Sequence, residues 1–261
     1  MKNKSFLTLT VLLAIIFPHI ITTTAFSAEY WSRVYDYEGS VTSDSVGSVR
    51  QTADGGFIVA GKEGNAFIIF KIKPDGTIDW QKNYGGYTES GSRAIRMTID
   101  GGYIVTGDID MGLQARFDFL VLKLKPDGTV GTVGTKGWQK TYGRDYYCEF
   151  PYSIQQTSGG GYIVAGEAQY TPSSGEVCSG EQNSDAWILK LNADGTIAWQ
   201  KTYGGDPGAQ VMSIQQTTDG GYIAAGSRQI FSGGSWEWEM WILKLDLLFT
   251  HNFVLDNPFY V

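Results

Sequence analysis

The sequence predicts an all-β protein: a β-propeller of about four repeats, each a four-stranded antiparallel blade. Three observations lead to this fold class. One pattern of turn, apolar segment and glycine occurs four times, and its apolar segments are rich in β-branched and aromatic residues. Asp-Gly or Gly-Gly pairs separate the segments, and no segment after the N-terminal leader shows a sustained helical period. Repeats of this length are typical of solenoids, propellers and arrays.

Each repeat is predicted to contain four strands, which we call a to d. The clearest examples are Ser213–Thr217 for strand a, Gly221–Ala225 for b, Ala186–Leu191 for c and Thr196–Tyr203 for d. Asp-Gly pairs join a to b and c to d. They suit two-residue type I′ hairpin turns, because both central residues of such a turn need positive φ.

Strands b and c are apolar on both faces, as Phe119–Leu122 and Trp187–Leu189 illustrate. A strand that is buried on both sides of its sheet has this composition. Four-stranded antiparallel units that are sandwiched between their neighbours are the blades of a propeller.

The two ends of the repeat region predict how the ring closes. The chain starts with a lone strand d, Tyr30–Tyr35, and the fourth unit lacks one. We predict that Tyr30–Tyr35 pairs antiparallel with the last strand c, around Trp241–Leu245, which removes the open edges. The alternative is a larger ring, completed by another chain or shortened by truncation, in which case self-association is possible. Residues 247–261 leave the repeat pattern and keep this alternative open.

Residues 1–27 are predicted to be a secretory signal peptide. Lys2 and Lys4 precede an apolar core, Phe6–Ile21, and small residues that suit cleavage follow it. The domain organisation is therefore a leader, a propeller domain over 28–246 and an irregular tail over 247–261. The sequence predicts export to the periplasm, the cell surface or the medium, with no membrane span after the leader is removed.

Charge and cysteine content restrict the partners. The formal net charge is −7, and without Lys2 and Lys4 it is −9. This balance argues against a nucleic-acid partner, which needs a basic face. Cys148 and Cys178 fall in connections that are predicted to emerge on the same face of the third blade. We predict a disulfide between them, and two free thiols are the alternative.

The d–a and b–c connections vary in length and are predicted to lie on one face, where a rigid scaffold usually carries its binding site. Aromatic residues beside carboxylates suit stacking on sugar rings or binding of a peptide. The candidate ligand-binding residues are Arg144, Tyr146, Tyr147, Glu149, Trp236 and Trp238. For the two tryptophans the alternative is that they continue strand c.

Metal binding and catalysis have less support. Asp108 and Asp110 are candidate calcium ligands, and a solvated acidic loop is the alternative. The two histidines, His19 and His251, lie outside the repeats, so a Ser-His-Asp or Cys-His arrangement lacks a base. We therefore predict a non-catalytic exported scaffold or binding module without a cofactor, whose ligand is a glycan or a peptide.

The segments Gln215–Gly226, Trp187–Leu191 and Asp194–Gly205 resemble the repeats of a broad group of exported prokaryotic β-propeller proteins. The resemblance implies the propeller architecture and a secreted or cell-surface location, and it transfers no functional residues. A weaker likeness is to quinoprotein-type propellers. It implies the enzyme alternative, a dehydrogenase that uses a quinone cofactor and calcium, although this chain lacks an adjacent cysteine pair.

Overall fold

The computed structural model describes residues 31–35, 44–64, 66–84, 90–110, 116–131, 137–171, 178, 184–205 and 208–246. Within these ranges the regular secondary structure is all β, and its fifteen strands lie in one compact unit, Arg33–Val261. No helix in the described ranges has the length and apolarity that crossing a membrane requires. The predicted signal peptide, residues 1–27, and the predicted tail, residues 247–261, lie outside the described residues.

The strands form four antiparallel sheets, and strand order in each sheet follows the chain. Sheet 1 contains β1 (Ser45–Gln51), β2 (Phe57–Glu63), β3 (Ala66–Ile72) and β4 (Ile78–Tyr84). Sheet 2 contains β5 (Ser90–Met97), β6 (Tyr103–Asp110), β7 (Phe117–Leu124) and β8 (Trp138–Tyr142). Sheet 3 contains β9 (Tyr147–Gln156), β10 (Tyr162–Tyr170), β11 (Ser184–Leu191) and β12 (Ile197–Tyr203). Sheet 4 contains β13 (Ala209–Gln216), β14 (Tyr222–Ser232) and β15 (Ser235–Leu245). Each predicted repeat unit is thus one blade-like sheet.

The a–b and c–d turns differ from the predicted type. In the first turn the Gly55 N–H donates to the Thr52 carbonyl at 3.0 Å, and the Thr52 N–H donates to the Gly56 carbonyl at 2.9 Å. Gly55 has a φ of +81°, whereas Asp54 is not among the residues with positive φ. This pattern is a type I turn followed by a left-handed glycine, not a two-residue type I′ turn. The Asp54 carboxylate stabilises it by accepting hydrogen bonds from the Thr52 hydroxyl and the Gly56 N–H.

Consecutive sheets pack face to face through contacts that repeat along the chain. The strand-d tryptophan of one sheet lies against the strand-b tyrosine of the next. Ring centroids are 5.8–6.2 Å apart in the pairs Trp80 with Tyr103, Trp138 with Tyr162, and Trp199 with Tyr222. The strand-d tyrosine also donates its hydroxyl hydrogen to a glycine carbonyl in the next c–d turn, as Tyr142 does to Gly195 at 2.6 Å.

Three apolar cores lie between the four sheets. Successive residues of a strand point to opposite cores: Val105 belongs to the core between sheets 1 and 2, and Ile104 belongs to the core between sheets 2 and 3. This alternation explains why strands b and c are apolar on both faces.

The predicted ring closure is not present among the described residues. Trp31–Tyr35 forms no strand, and β15 is paired with β14 alone in the three-stranded sheet 4. Arg33 and Tyr35 lie instead at the c–d turn of sheet 1. There Arg33 Nη2 donates to the Asp75 carbonyl at 3.0 Å and the Tyr35 hydroxyl donates to the Gly76 carbonyl at 2.9 Å. In the described part of the chain, the first and fourth sheets make no extensive contact with each other.

Candidate functional site

The segment that leads into β9 brings three of the six predicted ligand-binding residues together. The Arg144 guanidinium lies between two aromatic rings, 4.0 Å from the centroid of Tyr147 and 4.7 Å from that of Trp187. Its Nε is 3.2 Å from Glu149 Oε1, and the Arg144 backbone N–H donates to the same oxygen at 3.1 Å. Contacts of a guanidinium with aromatic faces stabilise by about 0.5–2 kcal/mol. Trp187, the fourth member, was not singled out by the sequence because it belongs to a strand c whose apolar pattern indicates core.

Glu149 is fully buried, with 0% of its surface exposed. Burial raises the pKa of its carboxyl to about 8, although the adjacent Arg144 favours the charged form. Glu149 Oε2 and Arg144 Nη2 are buried and have no hydrogen-bond partner among the described residues. The desolvation cost therefore exceeds the benefit of the ion pair, as is common for buried charges.

Replacing Glu149 with glutamine is expected to flatten the pH dependence of stability between about pH 4.5 and pH 8. In this range the folded protein holds a proton on Glu149 that the unfolded chain, with an ordinary carboxyl pKa of 4.5, releases. The free energy of unfolding of the wild type therefore falls as pH rises, by up to about 1.4 kcal/mol per pH unit from this group. Urea denaturation at several pH values measures the difference between the two proteins.

The matched control for this experiment is Glu239→Gln, because Glu239 is exposed on β15. It should leave the pH profile of the wild type unchanged. If the free energy of unfolding changed with pH equally in the wild type and in Glu149→Gln, the role assigned to Glu149 would be contradicted.

Tyrosine rings extend the Arg144 cluster to the surface. Tyr146 and Tyr170 are 49% and 47% exposed. The ring centroids of Tyr147 and Tyr170 are 5.3 Å apart, and the Arg116 guanidinium lies 5.1 Å from the centroid of Tyr146. We call this group, Arg116, Arg144, Tyr146, Tyr147 and Tyr170, the tyrosine platform. Arg116 and Tyr170 were missed in the sequence because Arg116 precedes β7 and Tyr170 ends β10, so both are distant in the chain from Tyr146 and Tyr147.

Tyr146 has an unusual backbone conformation. Its φ is +66°, and among the described residues no other non-glycine residue has a positive φ. A left-handed backbone costs a residue with a side chain about 1–2 kcal/mol. A hydrogen bond from the Thr171 N–H to the Tyr146 carbonyl, 2.8 Å long, holds this conformation. Backbone strain of this kind concentrates at binding sites, because it fixes a side chain where the fold needs it.

Cys148 and Cys178 form a disulfide, as the sequence predicts, with their Cα atoms 6.0 Å apart. Cys148 directly follows Tyr147 in the chain and is buried. The bond therefore ties the b–c connection of sheet 3 to the tyrosine platform, and it limits how far the two segments can separate.

Trp236 and Trp238 lie in strand β15, so the alternative that they continue strand c is the one that the structure shows. β14 and β15 continue to a two-residue turn, Gly233–Gly234, in which both glycines have positive φ. Because glycine adopts this conformation without a steric penalty, the hairpin extends further than the other b–c connections. Trp236 packs against Phe231, with ring centroids 5.2 Å apart. No ring contact or hydrogen bond found among the described residues joins these tryptophans to the tyrosine platform.

The predicted calcium ligands lie two residues apart on β6. Arg93 Nε is 2.6 Å from Asp108 Oδ1, so this carboxylate is neutralised by an ion pair. Among the described residues no group of three or more His, Cys, Asp or Glu side chains is suited to a metal ion. The contacts of Asp108 therefore give no support to a calcium site with Asp110.

A second polar cluster was not predicted. A β-bulge interrupts strand a at the same register in every sheet, and the bulged residues are Gly47, Arg93, Tyr152 and Met212. The Tyr152 hydroxyl donates to Glu167 Oε1 at 2.6 Å, and the Arg93 guanidinium lies 5.7 Å from the Tyr152 ring centroid. Burial raises the pKa of Glu167. Bulges redirect side chains in this way, and nothing in the local sequence marks their register.

Comparisons with protein families and with curated proteins do not suggest a function for this chain. No family model matches the chain, and no curated protein is significantly similar to it. The contacts of the tyrosine platform are therefore the evidence on which a function rests.

Proposed function

We propose that the protein is an exported, non-catalytic β-propeller-type scaffold that binds a glycan or a peptide on the tyrosine platform. One observation carries this proposal. The half-exposed ring of Tyr170 lies beside the partly buried ring of Tyr147, and half-exposed Tyr146 precedes Tyr147 in the chain. A disulfide and the hydrogen bonds from Arg144 to buried Glu149 hold this segment. Trp236 and Trp238 have no part in it, because their contacts lie within the β14–β15 hairpin.

The chemistry of the platform suits such ligands. A tyrosine ring offers an apolar face on which the C–H groups of a sugar or the side chains of a peptide can pack, and its hydroxyl is available for hydrogen bonds. The Arg116 and Arg144 guanidinium groups lie on the rings of Tyr146 and Tyr147, so these rings are held in fixed orientations. A site that is already ordered loses less conformational entropy when a ligand binds.

Export is supported by two features. Residues 1–27 have the composition of a secretory leader. The disulfide between Cys148 and Cys178 is of the kind that persists in oxidising compartments outside the cytosol. A binding site for external glycans or peptides is consistent with that location.

Replacing Tyr146 with glycine is expected to weaken ligand binding by about tenfold or more, the loss typical of an aromatic group central to an interface. Glycine removes the ring and also relieves the positive φ, so the variant should keep or exceed wild-type stability. The purified exported protein is first screened against a glycan array and a peptide library. The affinity for the strongest hit is then measured by calorimetry for both proteins.

Ile99→Ala provides the control, because Ile99 is an exposed apolar residue in an a–b turn, away from the variable connections. Its affinity for the ligand should match that of the wild type. Unchanged affinity of Tyr146→Gly would move the binding site elsewhere, and a lack of binding to every glycan and peptide would contradict the proposed ligand class.

A further inference from the structure

The outer face of sheet 4 exposes apolar side chains that the repeat buries elsewhere. Met240 and Ile242 on β15 are 96% and 65% exposed. Residues at the same two positions of sheets 1 to 3 are fully buried: Phe67 and Ile69, Phe119 and Val121, Ala186 and Ile188. In those sheets the side chains pack against the following sheet. Sheet 4 thus presents the face to which a following sheet would bind.

Sheet 1 presents the complementary face, which is exposed along strand a only. The residues Val59, Ile68, Phe70 and Ile72 of this face are buried in a cluster against which Tyr35 packs. Val49 is 49% exposed, whereas the residues at its position in sheets 2 to 4, Ile95, Ile154 and Ile214, are buried against the preceding sheet. The Tyr35 hydroxyl donates to the Gly76 carbonyl of sheet 1, as the strand-d Tyr142 does to the Gly195 carbonyl of the next sheet. Tyr35 therefore occupies the place that a strand-d tyrosine of a preceding sheet takes in sheets 2 and 3.

We propose that two copies of this chain associate head to tail. Sheet 1 of each copy packs on the exposed face of sheet 4 of the other copy, and the eight sheets form one ring with a two-fold axis. The chain itself contains this interface three times, between its consecutive sheets, so the outer faces of sheets 1 and 4 are complementary by their sequence. Contacts between unlike faces close into a ring when the rotation between subunits permits, and a ring of about eight blades is within the range that propellers use.

A second copy is favoured over the chain's own first sheet as the occupant of this face. In the described part of the chain the first and fourth sheets make no extensive contact, and Ile242 remains 65% exposed. β15 is also a free edge of eleven residues, paired on one side only. Such an edge favours pairing with another chain. Arg33–Tyr35 of the other copy, already seated on its own sheet 1, would lie next to this edge and supply the fourth strand.

Two variants, each altered at one end, test this arrangement. Met240→Lys with Ile242→Lys places charges on the face of sheet 4, and Val46→Lys with Val49→Lys does so on sheet 1. All four positions are exposed within one chain, so both variants should fold, which circular dichroism and thermal melting will check. Light scattering coupled to size exclusion then measures the mass of the purified exported protein over a wide range of concentration.

The wild type is expected to have twice the mass of one chain. Each variant alone should be monomeric, with the dimer Kd raised by about a hundredfold or more, since both interfaces of its dimer would bury unpaired charges. In an equal mixture of the two variants one unaltered sheet 1 meets one unaltered sheet 4, and the other contact has lysines on both sides. The mixture should therefore form an open dimer through the unaltered contact, with a Kd above that of the wild type and below that of either variant alone.

Other results would overturn the proposal. A monomeric wild type at all concentrations would show that the face is covered within one chain or stays open. A dimer that persists in either variant alone would place the interface elsewhere, and a mixture that associates no more tightly than either variant alone would exclude the head-to-tail arrangement.

Discussion

Replacing Trp187 with alanine is expected to lower the free energy of unfolding by about 3–5 kcal/mol, the loss typical of a fully buried aromatic side chain. Only 2% of Trp187 is exposed. Its ring centroid lies 4.8 Å from that of Phe119 in the preceding sheet and 4.7 Å from the Arg144 guanidinium. The substitution therefore leaves a cavity in the core between sheets 2 and 3 and also removes one of the two rings that hold Arg144. Urea denaturation followed by tryptophan fluorescence and circular dichroism measures the change.

Trp236→Ala is the matched control, since it deletes the same side chain from a site that is 51% exposed. It should lower the free energy of unfolding by only about 0.5 kcal/mol, as surface substitutions generally do. If the two variants lost equal stability, the distinction between buried strand c of sheet 3 and exposed β15 of sheet 4 would be wrong.

Removing the disulfide by Cys148→Ala with Cys178→Ala is expected to cost about 3–4 kcal/mol. The bond closes a loop with a sequence separation of 30 residues, and opening it gives conformational entropy back to the unfolded chain. For a domain of this size the Tm should fall by about 10 °C, which differential scanning calorimetry measures. Ligand affinity should fall as well, because Cys148 adjoins Tyr147 in the tyrosine platform.

Treatment of the wild type with a reductant gives an independent check on the disulfide. It should lower the Tm of the wild type and leave that of the double variant unchanged. An unreduced wild type that titrates two thiols after denaturation, or a double variant that melts with the wild type, would contradict the stabilising role of the bond.

The sequence by itself determined the elements and their order. The predicted strands Ser213–Thr217, Gly221–Ala225, Ala186–Leu191 and Thr196–Tyr203 correspond to β13, β14, β11 and β12, although β14 continues past its predicted end to Ser232. These assignments rest on local signals: two-sided apolar strands, β-branched residues and glycine-containing turns. A fourfold repeat strengthens such signals, because one pattern is observed in four contexts. The disulfide was also predictable, since it follows from where two connections emerge in one antiparallel sheet.

Part of the candidate site was also predictable from local sequence. Arg144, Tyr147 and Glu149 belong to one short connection, so their proximity is local. The sequence did not determine that Arg144 stacks on Trp187, or that Glu149 is buried enough for its pKa to rise to about 8. The stacking joins two residues that are about forty positions apart in the chain. The raised pKa is caused by burial of the carboxyl group, and burial depends on how the whole structure packs.

Tertiary structure alone decided the remaining features. The turn type depends on backbone hydrogen bonds that an Asp-Gly pair permits in two arrangements. The bulges at Arg93 and Tyr152 depend on strand register. The sequence left open whether Trp236 continues strand c, and the tight hairpin that two glycines allow decided that it does. Whether Tyr30–Tyr35 meets the last sheet depends on the cumulative angle between four packed sheets, which no local pattern encodes. Local sequence thus determined the strands of each sheet, and the packing between sheets decided which faces and side chains remain available to a partner.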